Sequence, residues 1–225
     1  MNRVFYEWPI SYKKERELGM SEKNLDKAVL FKLSYGLFVL STRDGKKDNG
    51  CIINTVTQIS GKPETIMVAV NKDNYTHDLI MSSEIFNVSV LTEDTPFELF
   101  QHFGFQSGRT VDKFSKYEAD CSRSGNGVLY LKKYTNAYMS AKVVKTMDCG
   151  THTMFYAEVV EGAVLSEGNS VTYAYYFDNI KPKKTAEKKK GFVCEICGYV
   201  YEGEELPADF TCPWCKHGPE AFRPL

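Results

Sequence analysis

The sequence predicts a mainly β protein, an antiparallel barrel or sandwich interrupted by a few helices, with a small cysteine-bound module at its C-terminal end. Three observations carry this. Seven stretches rich in β-branched and aromatic residues fall between residues 36 and 177, separated by turn-forming runs such as RDGKKDNG, SGKPE and SEGNS. Two Cys-x-x-Cys pairs, Cys194/Cys197 and Cys212/Cys215, lie within the last 32 residues. Between them and the strand-rich part runs KPKKTAEKKK, residues 181–190, with six lysines, one acid and nothing to bury.

In chain order, LDKAVLFKLS (25–34) reads as a helix and GLFVLSTR (36–43) as the first strand. CIINTVTQIS (51–60), TIMVAV (65–70), IFNVSVL (85–91), AYMSAKVVKTM (137–147), HTMFYAEVVEGAVL (152–165) and VTYAYYF (171–177) supply the other six. Helices are expected over YTHDLIMSS (75–83) and TPFELFQHFG (95–104), the latter with Pro96 in its first turn and Gly104 at its end. There is no parallel βαβ alternation and no glycine-rich dinucleotide fingerprint, which argues against a Rossmann domain.

Charge and composition narrow the function classes. The net charge of −1 gives no bias toward nucleic acid, and the lysine run lacks the interleaved aromatics of a nucleic-acid surface. The first residues hold no apolar segment before a small-residue cleavage site, and no run approaches the roughly 18 apolar residues of a membrane span, so a cytoplasmic protein is expected. Charge is unevenly placed: residues 191–225 carry a net −4 and residues 1–190 a net +3, which predicts electrostatic docking of the tail on the body.

Two Cys-x-x-Cys pairs 14 residues apart suit a tetrahedral site for zinc or a single iron. Disulfide exchange needs one such pair, usually opening a helix. Gly198, after Cys197, is free to take φ > 0 and turn N–H groups toward the sulfurs. Phe192, Tyr199, Tyr201, Phe210, Trp214 and Phe222 add six aromatics in this short module, enough to wall a metal from water. In the large part, Asn54, Thr55 and Thr57 place polar groups in an apolar strand, where they suit a polar ring edge or a phosphate. Lys72, Thr76 and His77 stand at the start of a helix, where N–H groups and positive charge favour an anion, although Thr76 also reads as a plain N-cap. Cys51, Cys121 and Cys149 read as inert thiols.

Residues 191–225, FVCEICGYVYEGEELPADFTCPWCKHGPEAF with its flanks, resemble rubredoxin in the Cys-x-x-Cys-Gly-Tyr-x-Tyr and Cys-Pro-x-Cys knuckles and in Phe222, with Lys216 standing where the second knuckle usually has Gly. Residues 20–180 resemble the flavin reductase-like family through the stretches above, FGFQSGRTVDKF (103–114) and Gly150-Thr151-His152, which stands where the family commonly has Gly-Asp-His. These resemblances imply an antiparallel split β-barrel over 1–180, a linker over 181–190 and a rubredoxin-like Fe(Cys)₄ domain over 191–225. They imply FMN lying along Asn54, Thr55, Val56 and Thr57, with Cys51 lining the pocket. Its phosphate would lie near Lys72, Thr76 and His77, with Ser107 close by, and His152 would serve the nicotinamide.

The whole resembles the flavin reductase–rubredoxin fusions called high-molecular-weight rubredoxins. That implies a homodimer moving electrons from NAD(P)H through FMN to iron bound by Cys194, Cys197, Cys212 and Cys215, and on to a flavodiiron oxygen or nitric oxide reductase. Two rivals stay open: a flavin reductase that releases reduced flavin and carries a structural zinc ribbon, and a non-enzymatic flavin- or nucleic-acid-binding module.

Overall fold

A computed structural model of the protein describes residues 27–45, 47–182 and 191–225; most of the lysine-rich linker lies outside the described residues. At the start, Lys27–Lys32 forms a 3₁₀ helix within the segment expected to be helical.

From Ser34 onward the chain builds a seven-stranded antiparallel sheet from β1 (Phe38–Asp44), β2 (Lys47–Ile53), β3 (Val56–Gly61), β4 (Glu64–Asn71), β5 (Ile85–Leu91), β8 (Thr135–Asp148) and β9 (His152–Val164). A separate short hairpin, β6 (Cys121–Arg123) with β7 (Leu129–Leu131), stands between β5 and β8 in sequence. The strand order in the large sheet is β2-β1-β5-β8-β9-β4-β3. Its two edges, β2 and β3, are consecutive in sequence and separated only by Asn54 and Thr55. A two-residue link spans about 10 Å at most, so the sheet has to curl until its edges meet at that corner. This is the split barrel.

Two helices pack on opposite faces of the barrel wall. α1 (Tyr75–Ser83) opens at Asn74, whose side chain accepts from the Thr76 N–H at 3.0 Å, and it buries Ile80 inside the barrel with Leu40, Val68, Phe86, Val88 and Phe155. α2 (Phe97–Gly104) covers the outside, packing Leu99, Phe100 and Phe103 over Leu37, Val39 and Leu91. Strand alternation explains both layers. Leu40 pairs with Cys51 and faces in, while Val39 pairs with Ile52 and faces α2.

Four expectations are corrected. The stretch 51–60 is two strands, broken at Asn54–Thr55 to turn the barrel corner. RDGKKDNG is mostly hairpin rather than loop, since β1 runs to Asp44 and β2 begins at Lys47. Pro96 occupies the N-cap position of α2, one residue before its first turn. Most consequentially, VTYAYYF is not a strand: the chain forms a helical turn over Tyr173–Tyr175 that continues as a π-helix over Tyr176–Ile180. The Thr172 side chain caps it by accepting from the Tyr175 N–H at 3.1 Å. Tyr173, Tyr176 and Ile180 recur at helical spacing, and they bury against α2, with the Tyr176 and Phe100 ring centroids 4.6 Å apart.

The C-terminal module is a three-stranded antiparallel sheet, β11 (Val200–Tyr201), β10 (Phe192–Cys194) and β12 (Phe222–Pro224) in spatial order. No helix among the described residues is long and apolar enough to cross a membrane.

Candidate functional site: a four-thiolate cage beside a flavin reductase-like barrel

The four cysteines of the tail converge. All four Sγ atoms lie within 4.8 Å of one another, and all four residues are buried. Cys194 and Cys215 Sγ are 3.5 Å apart and Cys197 and Cys212 Sγ 3.6 Å. A metal with four sulfur ligands at about 2.3 Å in a tetrahedron sets sulfur–sulfur edges near 3.8 Å, so the donor set fits one tetrathiolate ion.

Two matching turns build the cage. In the first, Gly198 N–H donates to the Cys194 carbonyl at 2.8 Å and Cys194 N–H to the Tyr199 carbonyl at 2.8 Å; in the second, Lys216 N–H donates to Cys212 and Cys212 N–H to His217, each at 2.9 Å. Each turn closes through a left-handed residue, and Gly198 (φ 80°) and Lys216 (φ 63°) supply it at equivalent positions. The lysine therefore adopts the strained conformation that the first knuckle assigns to glycine. Backbone N–H groups of Ile196 and Cys197 point at Cys194 Sγ, that of Tyr199 at Cys197 Sγ and that of His217 at Cys215 Sγ, dispersing thiolate charge.

The cage is walled from both sides. Tyr199, Trp214 and Phe222 come from the module itself, and Phe105, just past α2, comes from the barrel. Trp214 meets the α2 residue Phe97 edge to face, centroids 5.2 Å apart with the rings 76° to one another. Phe97 is in turn 6.3 Å from Phe105 and 6.5 Å from Tyr176. These ring contacts make the described part of the seam aromatic. A cavity of about 260 Å³ lies beside this seam, lined by Ile52, Gly104, Phe105, Tyr176, Phe177 and Ile196 among others.

At the barrel, the sequence-predicted residues fall into two groups. Asn54, Thr55, Val56 and Thr57 lie at the corner between the edge strands, the first three half-buried and Thr57 exposed, with the Thr55 hydroxyl donating to Asn54 Oδ1 at 3.1 Å. Around the start of α1 the picture is more crowded. Thr76 is fully buried and its hydroxyl accepts from Asn49 Nδ2 at 2.8 Å. His77 Nε2 meets the Thr153 hydroxyl at 2.9 Å and its Nδ1 faces Asp78 at 3.2 Å. Lys72 Nζ pairs with Asp148 at 2.8 Å, which together with the Gly150 N–H holds that carboxyl below its usual range. His152 opens β9, with Nδ1 2.9 Å from the Thr151 hydroxyl, and Ser107 Oγ accepts from the Arg109 N–H at 3.2 Å. Cys51 points into the barrel core and burial raises its thiol, so it packs rather than lining an open surface.

Sequence reasoning missed the cations beside α1. Lys47 Nζ and the Arg109 guanidinium both lie over the Tyr75 ring, at 5.3 and 4.7 Å from its centroid. Lys47 also donates to the Gly108 carbonyl at 2.7 Å, and Arg109 binds Asp78 at 2.6 Å. The buried Asn49 Oδ1 has no hydrogen-bond partner and abuts Gly108, where an added Cβ would fall 1.8 Å from it. The segment FGFQSGRTVDKF contained this signal in Gly108 and Arg109.

Comparison with known proteins decides the family. Residues 30–184 match the flavin reductase like domain, and residues 192–223 match the rubrerythrin, rubredoxin-like domain. The chain belongs to the flavin reductase-like family, with a rubredoxin-like domain appended. The high molecular weight rubredoxin of Moorella thermoacetica is 37% identical over 89% of this chain and 100% of its own length. The ferric-chelate reductase (NAD(P)H) of Archaeoglobus fulgidus is 38% identical over 68% of this chain and 89% of its own. Among solved structures, the FMN-binding protein of Thermus thermophilus superposes with a TM-score of 0.58 at 20% identity, covering 83% of this chain and 91% of that one. A flavin-handling oxidoreductase fold and a tetrathiolate iron module are therefore joined in one polypeptide, the pairing of a flavin-to-rubredoxin electron-transfer protein.

Proposed function

We propose that this chain passes electrons from NAD(P)H through FMN in the barrel to one iron in the cysteine cage, and from there to an acceptor such as a flavodiiron oxygen or nitric oxide reductase. The observation that carries the reading is the packing of Phe105 and Phe97, residues of the barrel, against the cage and its Trp214. A zinc staple has no need of such a seat on the redox domain. FMN, when bound, supplies the conversion between a two-electron hydride donor and a one-electron metal.

The chain's own residues divide the work. Asn54, Thr55, Val56 and Thr57 orient the isoalloxazine and ribityl chain at the barrel corner. The start of α1, with Lys72, His77 and Ser107 nearby and with Lys47 and Arg109 added, holds the phosphate by charge and N–H donors. Thr76 contributes by fixing Asn49 beneath that site. His152, at the tip of the β8–β9 hairpin, serves the nicotinamide end. Cys194, Cys197, Cys212 and Cys215 hold the iron, and the aromatic shell excludes water from it. Residues 181–190 tether the two domains, 1–180 and 191–225.

The ferric-chelate reductase and FMN-binding relatives support the nicotinamide and flavin choices, and the protein is read as cytoplasmic, where thiols stay reduced. It is also read as a homodimer, because β8 and β9 expose Val144, Met147, Val160 and Val164, and Met147 lines an apolar cavity of about 400 Å³ with Ile59, Met67, Met154 and Tyr156.

Stopped-flow reduction by NADH or NADPH, following the flavin and iron bands separately, tests the reading. Flavin bleaching followed by iron bleaching at a rate independent of protein concentration is expected. Full flavin reduction with an unbleached iron band overturns the relay. Stoichiometric zinc in protein from its native source does the same.

A further inference from the structure

The seam between the domains assigns a role to α2 that nothing in the cofactor chemistry requires. The rubredoxin-like domain meets the barrel with both knuckles: Trp214, between the ligands Cys212 and Cys215, packs on Phe97, and Ile196, between Cys194 and Cys197, lines the seam cavity with Phe105. Phe105, one residue beyond α2, packs directly on the cysteine cluster. Phe97 is held by its neighbours: it lies 6.5 Å from Tyr176 and 6.3 Å from Phe105, and Tyr176 packs at 4.6 Å on Phe100 in the next turn of α2. The same face of α2 reaches β2: Gly104, seven residues after Phe97, stands in ordinary contact range of Ile52, where an added Cβ would lie 3.4 Å from it, and Ile52 shares a cavity with Ile196 of the first knuckle. Ile52 stands two residues before Asn54, at the corner proposed above for the flavin ring. The cage and the barrel corner therefore approach one another across a single cavity bordered by α2.

We infer that Phe97 and Phe105 are positioning residues: they seat the rubredoxin-like domain through Trp214 so that the cage faces the end of β2, fixing the pose from which the flavin domain is served. The inference rests on the proposed relay, and it adds that the pose is built by rings on α2 rather than by the charge difference between domains. A seat of apolar rings responds little to salt, because screening acts on charges and not on buried aromatic area. It also has to release: a tail of ten tethering residues keeps the detached domain close, so rebinding stays intramolecular.

The test uses the full chain in two forms. In flavin-free, zinc-loaded protein, ¹⁵N relaxation reads whether amides of residues 192–224 tumble with the barrel. In the flavin- and iron-loaded protein, stopped flow reads the two bands. In wild type, common tumbling is expected at low salt and equally at about 0.5 M salt. Phe97→Ala should shift the ratio of seated to free domain about tenfold and slow iron bleaching to a similar degree, with the flavin reduction rate unchanged. Phe97→Tyr should restore both. Trp214→Ala, on the opposite side of the seam, should reproduce the loss, which guards against a folding defect of α2 alone.

Independent tumbling in wild type, or a seated-to-free ratio unchanged in both alanine variants, overturns the seat. Release of the domain with unchanged iron bleaching overturns its positioning role. If wild-type iron is never reduced through flavin, the relay fails on its own account, and the tumbling measurement still decides the seat.

Discussion

Lys113 and His102 clasp one another's backbone: Lys113 Nζ donates to the His102 carbonyl at 2.5 Å, and His102 Nε2 donates to the Lys113 carbonyl at 2.9 Å. Lys113 also reaches the carbonyls of Phe103, at 3.3 Å, and Gln106. The ammonium thus satisfies the free carbonyls at the C-terminal end of α2, the helix that seats the iron domain. Its side chain is almost wholly buried, and that burial pulls its pKa down to about 8.

The sign of the resulting pH dependence follows. Unfolded, this lysine titrates near 10.5; folded, it releases its proton at about 8. Between those values the unfolded chain binds more protons, so stability rises with pH across that window. Denaturant melts of wild type and Lys113→Met should diverge there, wild type gaining on the order of 3 kcal/mol relative to the variant. Below pH 8 the difference should be flat. Parallel curves from pH 8 to 10.5 would show that the lysine keeps its charge on folding at ordinary cost.

Metal removal should melt one domain only. The three strands β10, β11 and β12 are very short, and a module of this size has little core besides its cage. Chelation at low pH, or Cys212→Ser, should abolish the dispersed amide signals of 192–224 and leave those of the barrel. Lys216→Gly, which relieves the left-handed lysine, should raise the unfolding free energy of the metal-bound module by about 1 kcal/mol; Gly198→Ala should lower it by a similar amount.

Much of this was legible from the sequence because it depends on local order. Alternation gave β4, β5, β8 and β9, and spacing gave the cage. What failed depended on distant partners. VTYAYYF has strand composition, yet it folds as helix because Tyr176 has Phe100 to pack on and Thr172 to cap it. Nothing near residue 54 announces that the strand must stop there; the need arises because β3 pairs with β4 at the far edge of the sheet. Thr76 also reads as a plain cap, but the cap of α1 is Asn74, and the Thr76 hydroxyl accepts instead from Asn49, 27 residues away. The seat at Phe97 joins residues more than a hundred positions apart, and no local pattern marks it.

The phosphate assignment separates by charge. Replacing Lys47 and Arg109 with alanine should weaken FMN by about tenfold or more, and riboflavin much less, because only FMN carries the anion. Calorimetric titration of apo-protein with both ligands measures the difference. Lys72→Ala, tested beside them, reads the share of the third cation, which like Arg109 is paired with a carboxylate in the free protein. Equal losses for FMN and riboflavin would move the phosphate elsewhere.

The apolar face of the long hairpin leads to the last prediction. Val144 and Val160 are 59% and 56% exposed, and Val164 reaches 75%, on strands whose other face fills the core. An isolated subunit gains nothing from such a strip and risks aggregation through it. A second copy of the chain would bury it, and a two-fold pairing sets the same residues against each other across the axis. Val144→Glu combined with Val160→Glu would then place four unpaired carboxylates in one interface, which should raise the dimer dissociation constant at least a hundredfold. Because both side chains are exposed in the subunit, the melting curve of the barrel itself should change little once the protein is monomeric. Sedimentation velocity at micromolar concentration reads the outcome: a wild-type dimer and a folded variant monomer are expected, and a variant that still sediments as a dimer would place the subunit contact on another face.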